Sequence, residues 1–288
     1  MKVAILGIGL MGGSLAASLR GGSFASSITG YDLDPKVRER GMQLDLLDAT
    51  AASPAQAAHG ADLVVLASPV GSMAGLLTDI TDALGAATIV TDLGSTKANV
   101  VDAARRALGP AFARFVPAHP IAGGERSGLE GAEPDLFEGR TVVITPESET
   151  RADAIERVEQ LWRSCGAKIV TMDAARHDRL LASVSHLPHV LAFALVAQIA
   201  DQPDAQAKLS IAGAGFRDFT RIAASSPALW TDIAMANRDA IGQELRGLIA
   251  LLQQVDRALG AGDADTLQAL FERASHTRRQ LGGSHSGP

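Results

Sequence analysis

The chain has 288 residues, of which 47% are hydrophobic and 20% charged, so its length suits one large domain or two of ordinary size. Its formal net charge of −6, without a basic tail or stripe, argues against binding to nucleic acid or to an anionic membrane. A single cysteine, Cys165, excludes an intramolecular disulfide and a cysteine-rich metal site and favours a reducing, cytoplasmic location. The sequence contains no uninterrupted run of about eighteen apolar residues, so no membrane span is predicted.

Short apolar runs alternate with helical patterns from residue 2 to about residue 172, which is typical of βα units in one parallel sheet. Strands are predicted, in chain order, at KVAIL, SITGYD, ADLVVLAS, ATIVTD, RFVPAH, TVVITP and AKIVTM. Helices are predicted after most of them, for example from Ala154 to Ser164. The sequence therefore predicts an N-terminal α/β domain with a doubly wound sheet over residues 1–172.

The strand pattern ends after Met172, and the rest of the chain has the pattern of helices. Residues 173–201 carry apolar side chains at three- and four-residue spacing for about eight turns. More helix is predicted from Ala228 to Leu259 and from Asp263 to about Leu281. We expect an all-helical substrate and dimerisation domain at 173–281, whose long apolar faces form a homodimer interface, and a disordered tail at 282–288.

A glycine-rich turn, GIGLMGGS, directly follows the first predicted strand and has G-x-G-x-x-G spacing. Gly7 permits the tight turn, Gly9 lets the backbone approach a pyrophosphate, and Gly12 lets the helix pack close to the strand. Leu10 and Met11 lie at the N-terminus of that helix, which faces the phosphates, and belong to the same predicted site. The alternative is that the glycines form only a tight turn.

An acidic residue, Asp32, ends the second predicted strand, twenty residues after Gly12. A carboxylate at this point accepts hydrogen bonds from the ribose hydroxyls of NAD and repels the 2′-phosphate of NADP. The position therefore predicts a Rossmann-type domain that binds NAD in preference to NADP. Asp34 is the alternative residue for the ribose.

Ser68 and Pro69 follow the third predicted strand, and Ser95 and Lys97 follow the fourth. Because the carboxyl ends of parallel strands meet at one edge of a doubly wound sheet, both stretches are expected to lie beside the nicotinamide half of the cofactor. Ser68 and Pro69 can instead form only a strand-end turn. Ser95 can instead be a helix N-cap, and Lys97 a solvated lysine of the first turn.

His119 ends the next predicted strand, which we expect in the same sheet and thus at the same edge as Ser68 and Ser95. Many residue types can cap a strand or fill a core, whereas a histidine offers a base whose ordinary pKa lies near neutrality. We therefore predict that His119 is a catalytic base.

Two histidines, His186 and His189, flank Pro188, which disturbs a helix and can turn both rings towards a cavity. Their spacing also occurs in metal sites, but neither a cysteine nor a third histidine is near in the sequence, so no metal is predicted. Packing of both rings inside the helical domain is the alternative.

Arg217 and Arg221 lie one helical turn apart, where their planar guanidinium groups can bind a carboxylate. The alternative is a solvated arginine face in which Arg221 forms an ion pair with Asp218.

Seven motifs, in this order, resemble those of the prephenate/arogenate dehydrogenase family of tyrosine biosynthesis: GIGLMGGSLA, YDLDP, ASPV, DLGSTK, HPIAGGERSG, SHLPHV and GFRDFTRIA with a following tryptophan. The resemblance covers about residues 1–280. It implies a Rossmann domain followed by a helical dimerisation domain, and an NAD-dependent reaction without a metal. That reaction oxidises a cyclohexadienol bearing a ring carboxylate, and carbon dioxide is lost as the ring becomes aromatic.

The resemblance also implies roles for individual residues. His119 is the base of the H-P-[IM]-x-G motif, and Ser95 orients it. His189 and Arg221 bind substrate, and Glu125 lies at the mouth of the pocket.

We expect His186 and Arg217 to add substrate contacts. Two other functions stay open: a different two-domain NAD(P)-dependent dehydrogenase of the β-hydroxyacid type, and a non-catalytic NAD-binding sensor.

Overall fold

The computed structural model describes residues 1–123, 126 and 128–283. These residues contain the following strands: β1 (Lys2–Leu6), β2 (Ser27–Tyr31), β3 (Ala49–Thr50), β4 (Leu63–Leu66), β5 (Ile89–Asp92), β6 (Phe115–Val116), β7 (Ala118–Pro120), β8 (Thr141–Ile144) and β9 (Lys168–Thr171). They contain these helices: α1 (Leu10–Arg20), α2 (Pro35–Gln43), α3 (Pro54–Ala58), α4 (Val70–Ile80), α5 (Ala98–Leu108), α6 (Ala152–Ser164), α7 (Ala174–Leu181), α8 (Leu187–Ala200), α9 (Ala205–Ser210), α10 (Ala214–Thr220), α11 (Pro227–Ala236), α12 (Arg238–Ala261) and α13 (Ala264–Gly283).

The chain forms two compact units, Met1–Arg238 and Asp239–Pro288. The predicted boundary at residue 172 lies inside the first unit and stays a prediction. Of the predicted tail, residues 282 and 283 belong to α13, and residues 284–288 lie outside the described residues.

Six parallel strands form the main sheet in the order β3-β2-β1-β4-β5-β6. This is the strand order of a Rossmann fold, whose ligand crevice lies where the chain reverses direction, between β1 and β4. Alternate residues of these two strands face opposite sides: Val3 and Leu63 pack against one core cluster, and Ala4 and Val64 against the other. The predicted fold class is confirmed.

The fifth predicted strand, RFVPAH, divides between two sheets. Its first half is β6, at the edge of the main sheet, and its second half is β7, which pairs antiparallel with β8 in a separate sheet of order β7-β8-β9. Pro117 lies between the halves and has no N–H to continue the ladder. The expectation that His119 lies in the main sheet, and that all strands form one parallel sheet, is therefore wrong.

A continuous helix runs from Ala174 to Ala200 through α7, a π-helical turn at Ala182–His186, and α8. Pro188 lies in the first turn of α8, so the disturbance predicted there takes the form of a π turn, which accommodates one extra residue. By length and composition this helix, whose most apolar 18-residue window has a mean hydropathy of 1.8, could cross a membrane. The same composition suits a helix that packs against protein, so the prediction that no membrane is bound stays a prediction.

The single helix predicted from Ala228 to Leu259 is interrupted at Asn237, between α11 and α12. Asn237 is buried at this break, and its amide contacts Asp178 and His186 of the long helix.

Candidate active site

The loop between β1 and α1 has the geometry that a bound pyrophosphate requires. Gly7 has a φ of 102°, and a Cβ there would lie 2.8 Å from the Ala67 carbonyl. A Cβ at Gly12 would overlap the Gly7 carbonyl oxygen, whereas a Cβ at Gly9 would meet no atom within 4 Å. Because no side chain caps the first turn of α1, which begins at Leu10, its N–H groups are available to phosphate oxygens.

Asp32 follows β2 and faces this loop. Its Oδ2 accepts a hydrogen bond from the Ile8 N–H at 2.9 Å, and its Oδ1 accepts one from the Asp34 N–H at 3.1 Å. The carboxylate is thereby fixed beside the glycine-rich turn. Asp34 accepts from the Lys36 N–H at 2.9 Å as the N-cap of α2, which leaves Asp32 as the better placed residue for a ribose.

Ser68 and Pro69 form the turn between β4 and α4, on the other side of the crevice from Gly7. The Ser72 hydroxyl donates to the Pro69 carbonyl at 2.8 Å and lies 3.0 Å from the Ser68 hydroxyl. The first turn of α4 is capped from a distant segment, because the Gly71 N–H donates to Asp232 Oδ2 of α11 at 2.7 Å. The stretch is thus a strand-end turn and also a wall of the predicted cofactor crevice.

His119 begins a chain of hydrogen bonds that the sequence did not predict. Its Nδ1 lies 2.8 Å from His177 Nε2, and His177 Nδ1 lies 2.8 Å from Asp178 Oδ1. The Asp178 carboxylate also accepts the N–H groups of Lys97 at 2.8 Å and Ala98 at 2.9 Å. Asp178 therefore caps the N-terminus of α5 and connects that helix to the predicted catalytic base.

The electrostatic surroundings keep His119 neutral. Its side chain is buried, with 9% of the residue exposed. Burial lowers the pKa of His119 well below 6.5, and the positive charges that His177, Lys97 and His186 can carry lower it further. Burial opposes ionisation of Asp178, but hydrogen bonds from His177 and from the two backbone N–H groups bring the pKa of that carboxyl below its ordinary value.

Lys97 is fully buried, so its interpretation as a solvated lysine is wrong. Its Nζ forms an ion pair with Asp92 and donates to the Ala118 carbonyl at 2.7 Å, while Asp92 Oδ1 accepts the Ala118 N–H at 3.2 Å. Both polar groups of Ala118 are thus held by the end of β5. This contact keeps His119 at the edge of the main sheet although β7 belongs to the other sheet.

Ser95 lies between Asp92 and Lys97 in the sequence and is half-buried in the structure. Its hydroxyl makes no hydrogen bond to any residue that the structure describes. The N-cap role considered for it belongs to Asp178. His177, rather than Ser95, is the hydrogen-bond partner of the His119 ring. The prediction that Ser95 orients His119 stays a prediction.

His186 is buried, with 1% of the residue exposed, and is held by Asn237. The Asn237 Nδ2 group lies 3.0 Å from His186 Nδ1 and donates to the Asp178 carbonyl at 2.8 Å. Burial lowers the pKa of His186 to about 4, so this ring is neutral at pH 7. The charge of Asp178 and a hydrogen bond with the Ser95 backbone act against burial and raise this pKa.

His189 stacks on Trp230, with 3.4 Å between ring centroids and an interplanar angle of 15°. Its Nδ1 donates to the Ser185 carbonyl at 2.9 Å. Burial lowers the pKa of His189, and the nearby charge of Arg221 lowers it as well, against the effect of the Ser185 bond. The structure therefore brings His189 and Arg221 together, as the predicted substrate site requires.

Arg217 lies on α10 and is exposed, and its Nε donates to the Ala212 carbonyl at 3.2 Å. Glu125, predicted at the mouth of the pocket, lies outside the described residues. Within residues 1–123, 126 and 128–283, no group of three or more histidine, cysteine, aspartate or glutamate side chains is placed to hold a metal ion.

Three residues of this site were missed by the sequence analysis: His177, Asp178 and Asn237. The first two stand in a helical pattern where they read as ordinary polar positions, and Asn237 was placed inside a continuous helix. The pair His177-Asp178 begins the same long helix that carries HLPH, and this proximity was the available signal.

Comparison with known families identifies the chain. Residues 15–171 match the family model described as prephenate dehydrogenase, nucleotide-binding domain, and residues 173–273 match the one described as prephenate dehydrogenase, dimerization domain. The chain belongs to the prephenate dehydrogenase family.

Individual relatives extend over nearly the whole chain. A cyclohexadienyl dehydrogenase from Zymomonas mobilis is 33% identical over 285 residues, which cover 98% of this chain and 97% of that relative. The crystal structure of prephenate dehydrogenase from A. aeolicus with hydroxyphenyl propionate and NAD+ has a TM-score of 0.91 at 33% identity, covering 98% of both chains. Synechocystis arogenate dehydrogenase has a TM-score of 0.81 at 26% identity, covering 98% of this chain and all of that one.

Proposed function

We propose that this protein is an NAD-dependent oxidoreductase that converts prephenate to 4-hydroxyphenylpyruvate by oxidative decarboxylation, and that it also accepts arogenate. The observation that carries the proposal is the neutral, buried His119, held at the carboxyl end of β5 in a sheet whose first loop is shaped for a dinucleotide. The names of the nearly full-length relatives, which cover prephenate, arogenate and cyclohexadienyl dehydrogenases, support the substrate class.

The glycine-rich loop, with Leu10 and Met11, would hold the pyrophosphate of NAD, Asp32 would hold its ribose, and Ser68 and Pro69 would border its nicotinamide. When bound, NAD+ supplies the acceptor for the hydride that leaves the substrate carbinol carbon. The carboxylate of Asp32, fixed by the Ile8 N–H, favours NAD over NADP because it would repel a 2′-phosphate.

His119 accepts the proton of the substrate hydroxyl as the carbinol carbon is oxidised. Its low pKa keeps the ring unprotonated at neutral pH, so the base is ready before substrate binds. Ser95 follows β5 at the same edge of the main sheet and would help to orient the His119 ring, as the resemblance to the family implies. Loss of the ring carboxylate as carbon dioxide follows from aromatisation and needs no further base.

Arg221 binds the side-chain carboxylate of the substrate, and His189, stacked on Trp230, gives this pocket a rigid wall. Arg217, His186 and Glu125 are assigned to supporting polar contacts. For His186, burial against Asn237 supports a role in holding the neighbouring loops more than direct contact with substrate.

The proposal includes a cytoplasmic homodimer formed through the C-terminal helices. The match of residues 173–273 to a dimerization domain and the exposed apolar side chains of Leu252, Leu259 and Phe271 support the dimer. Light scattering of the purified protein tests it, and a monomer at micromolar concentration would contradict it.

The experiment that tests the function is steady-state formation of reduced nicotinamide by the purified protein. Prephenate and arogenate are each offered with NAD+ or with NADP+. We expect turnover with NAD+ and prephenate, turnover with NAD+ and arogenate, and little with NADP+. If NAD+ binds but none of the four mixtures turns over, the sensor or a β-hydroxyacid dehydrogenase becomes the better interpretation.

A further inference from the structure

The hydrogen-bond chain His119-His177-Asp178 ends in a carboxylate whose two oxygens both accept backbone N–H groups, Oδ1 from Lys97 and Oδ2 from Ala98. An ionised carboxylate carries no proton and can only accept hydrogen bonds. Asp178 Oδ1 accepts the Lys97 N–H at 2.8 Å and lies 2.8 Å from His177 Nδ1. His177 Nδ1 must therefore be the donor in its bond to Asp178.

The direction of the next bond follows from that one. A neutral imidazole has one N–H, so a proton on His177 Nδ1 leaves His177 Nε2 as an acceptor. Its partner at 2.8 Å, His119 Nδ1, must then donate. The proton of neutral His119 is thus on Nδ1, and His119 Nε2 keeps its lone pair.

A second proton on His177 would reverse the direction of the His119 bond. The chain as described is therefore that of a neutral His177 ring, which is fully buried with Nδ1 against Asp178 and Nε2 against His119.

We propose that Asp178 and His177 are positioning residues that fix the tautomer of His119, so that Nε2 is the atom that accepts the proton of the substrate hydroxyl. The proposal rests on the proposed function for the identity of the reaction, but its statement about the tautomer does not. When Nε2 takes the proton, His119 already donates through Nδ1 to His177, so the new cation is stabilised along a chain that ends in a carboxylate.

The test compares two substitutions of His177 that differ in one property. In His177→Gln the side-chain oxygen can still accept from His119 Nδ1 while the amide NH2 donates to Asp178. His177→Leu has a side chain of related size without an acceptor. We expect kcat to fall by about 10²- to 10⁴-fold in the leucine variant, as for a misdirected general base, and by less than about tenfold in the glutamine variant.

Three controls make this difference interpretable. His59→Gln introduces the same change at an exposed histidine that is not part of the site, and it is expected to leave kcat unchanged. The Kd for NAD+ and the thermal unfolding midpoint, measured for both His177 variants, exclude loss of cofactor binding or of the fold as the cause. Equal losses in the glutamine and leucine variants, or wild-type turnover in the leucine variant, would overturn the proposal.

Nitrogen-15 NMR of the wild-type imidazole side chains tests the tautomer directly and needs no substrate. We expect the His119 proton on Nδ1 and an unprotonated Nε2, with His119→Asn identifying the signals. A proton on His119 Nε2 would overturn the proposal even if the protein turns over prephenate. Absence of turnover with the expected tautomer would instead contradict the proposed function alone.

Discussion

Two regions of the first compact unit are assigned to the same reaction but are built differently. The buried histidine cluster consists of Asp92, Lys97, His119, His177 and Asp178, and each of these residues is at least nine-tenths buried. The arginine segment, residues 213–230, carries both predicted carboxylate-binding arginines on exposed positions. In the cluster, hydrogen bonds reach across 58 and 81 residues of sequence, whereas Arg217 bonds to a carbonyl five residues away.

The difference indicates a division between chemistry and recognition. A base must be held in one orientation and one protonation state before the reaction, which requires a rigid, desolvated shell. A group that binds a charged substrate must exchange water for ligand, which requires exposure. We therefore expect substitutions in the cluster to act on kcat and substitutions in the arginine segment to act on KM.

The largest effect is expected from His119→Asn. Asparagine keeps a polar side chain at this position but cannot act as a base, so kcat is expected to fall by about 10²- to 10⁴-fold. The Kd for NAD+, measured by fluorescence titration, is expected to stay within about twofold of wild type. Near-normal turnover would remove His119 from the mechanism, and loss of NAD+ binding would show that the cluster is not specialised for chemistry.

A smaller effect is expected from Arg221→Ala, and it should appear in a different constant. Loss of a charge-assisted hydrogen bond worth about 1.5–3 kcal/mol would raise the KM for prephenate by roughly 10- to 150-fold with little change in kcat.

Arg217→Ala is the matched control on the same segment. Because the Arg217 side chain is tied to Ala212, we expect its KM effect to be less than about a third of that of Arg221→Ala. Equal effects of the two substitutions would mean that both arginines bind the carboxylate. An unchanged KM in Arg221→Ala would exclude its proposed role.

The pH dependence of kcat/KM reports how deeply the cluster is buried. His119 is active only when neutral, and burial lowers its pKa well below 6.5, so protonation and loss of activity are displaced to lower pH. A histidine of ordinary pKa would lose about three-quarters of its activity at pH 6.0. We expect less than half of that loss in the wild-type protein.

The measurement is kcat/KM from about pH 4.5 to 8 at constant ionic strength, with a check that the protein stays folded at each pH. An acidic limb centred near pH 6.5 would show that the site is more hydrated than the structure indicates. The comparison of cluster and segment would then lose its physical basis.

The sequence predicted what local pattern can encode. The glycine loop, Asp32 and the carboxyl ends of β4 and β5 follow from spacing along single βα units, so their positions in the fold could be inferred. His177, Asp178 and Asn237 serve the site through contacts with residues more than fifty positions away, and no periodicity reports such contacts. Pro117 was a signal in the sequence that RFVPAH could divide into two strands. The apolar residues on both sides of Pro117 nevertheless favoured the prediction of one continuous strand.

Lys97 is a further residue whose surroundings depend on contacts that the sequence pattern does not report. Its place after a strand left two interpretations open, a residue beside the nicotinamide and a solvated first-turn lysine, and an isolated lysine is rarely buried. Burial becomes favourable only with Asp92 and the Ala118 carbonyl as partners, and these come from two separate strands, β5 and β7. No local pattern reports these partners, so the sequence could not predict that Lys97 is buried.

The smallest effect is expected from a second carboxylate, that of Asp232, which connects α11 to the first turn of α4 beside the predicted cofactor crevice. Asp232, four residues before Ala236 at the end of α11, caps α4 through the Gly71 N–H, as Asp178 caps α5. Loss of such a cap costs about 1 kcal/mol, part of which would reach the adjoining Ser68-Pro69 turn. We expect Asp232→Ala to raise the KM for NAD+ by about two- to threefold at nearly unchanged kcat.

Asp232→Asn distinguishes capping from charge, because the asparagine oxygen can still accept the Gly71 N–H. We expect its KM for NAD+ to match wild type, since the N-cap preferences of asparagine and aspartate are similar. If the asparagine variant behaves like the alanine variant, the charge of Asp232 matters and not the cap. If neither variant changes the KM for NAD+, the Asp232–Gly71 hydrogen bond does not help to hold the Ser68-Pro69 turn. The contact between α11 and α4 would then have no effect on the binding of NAD+.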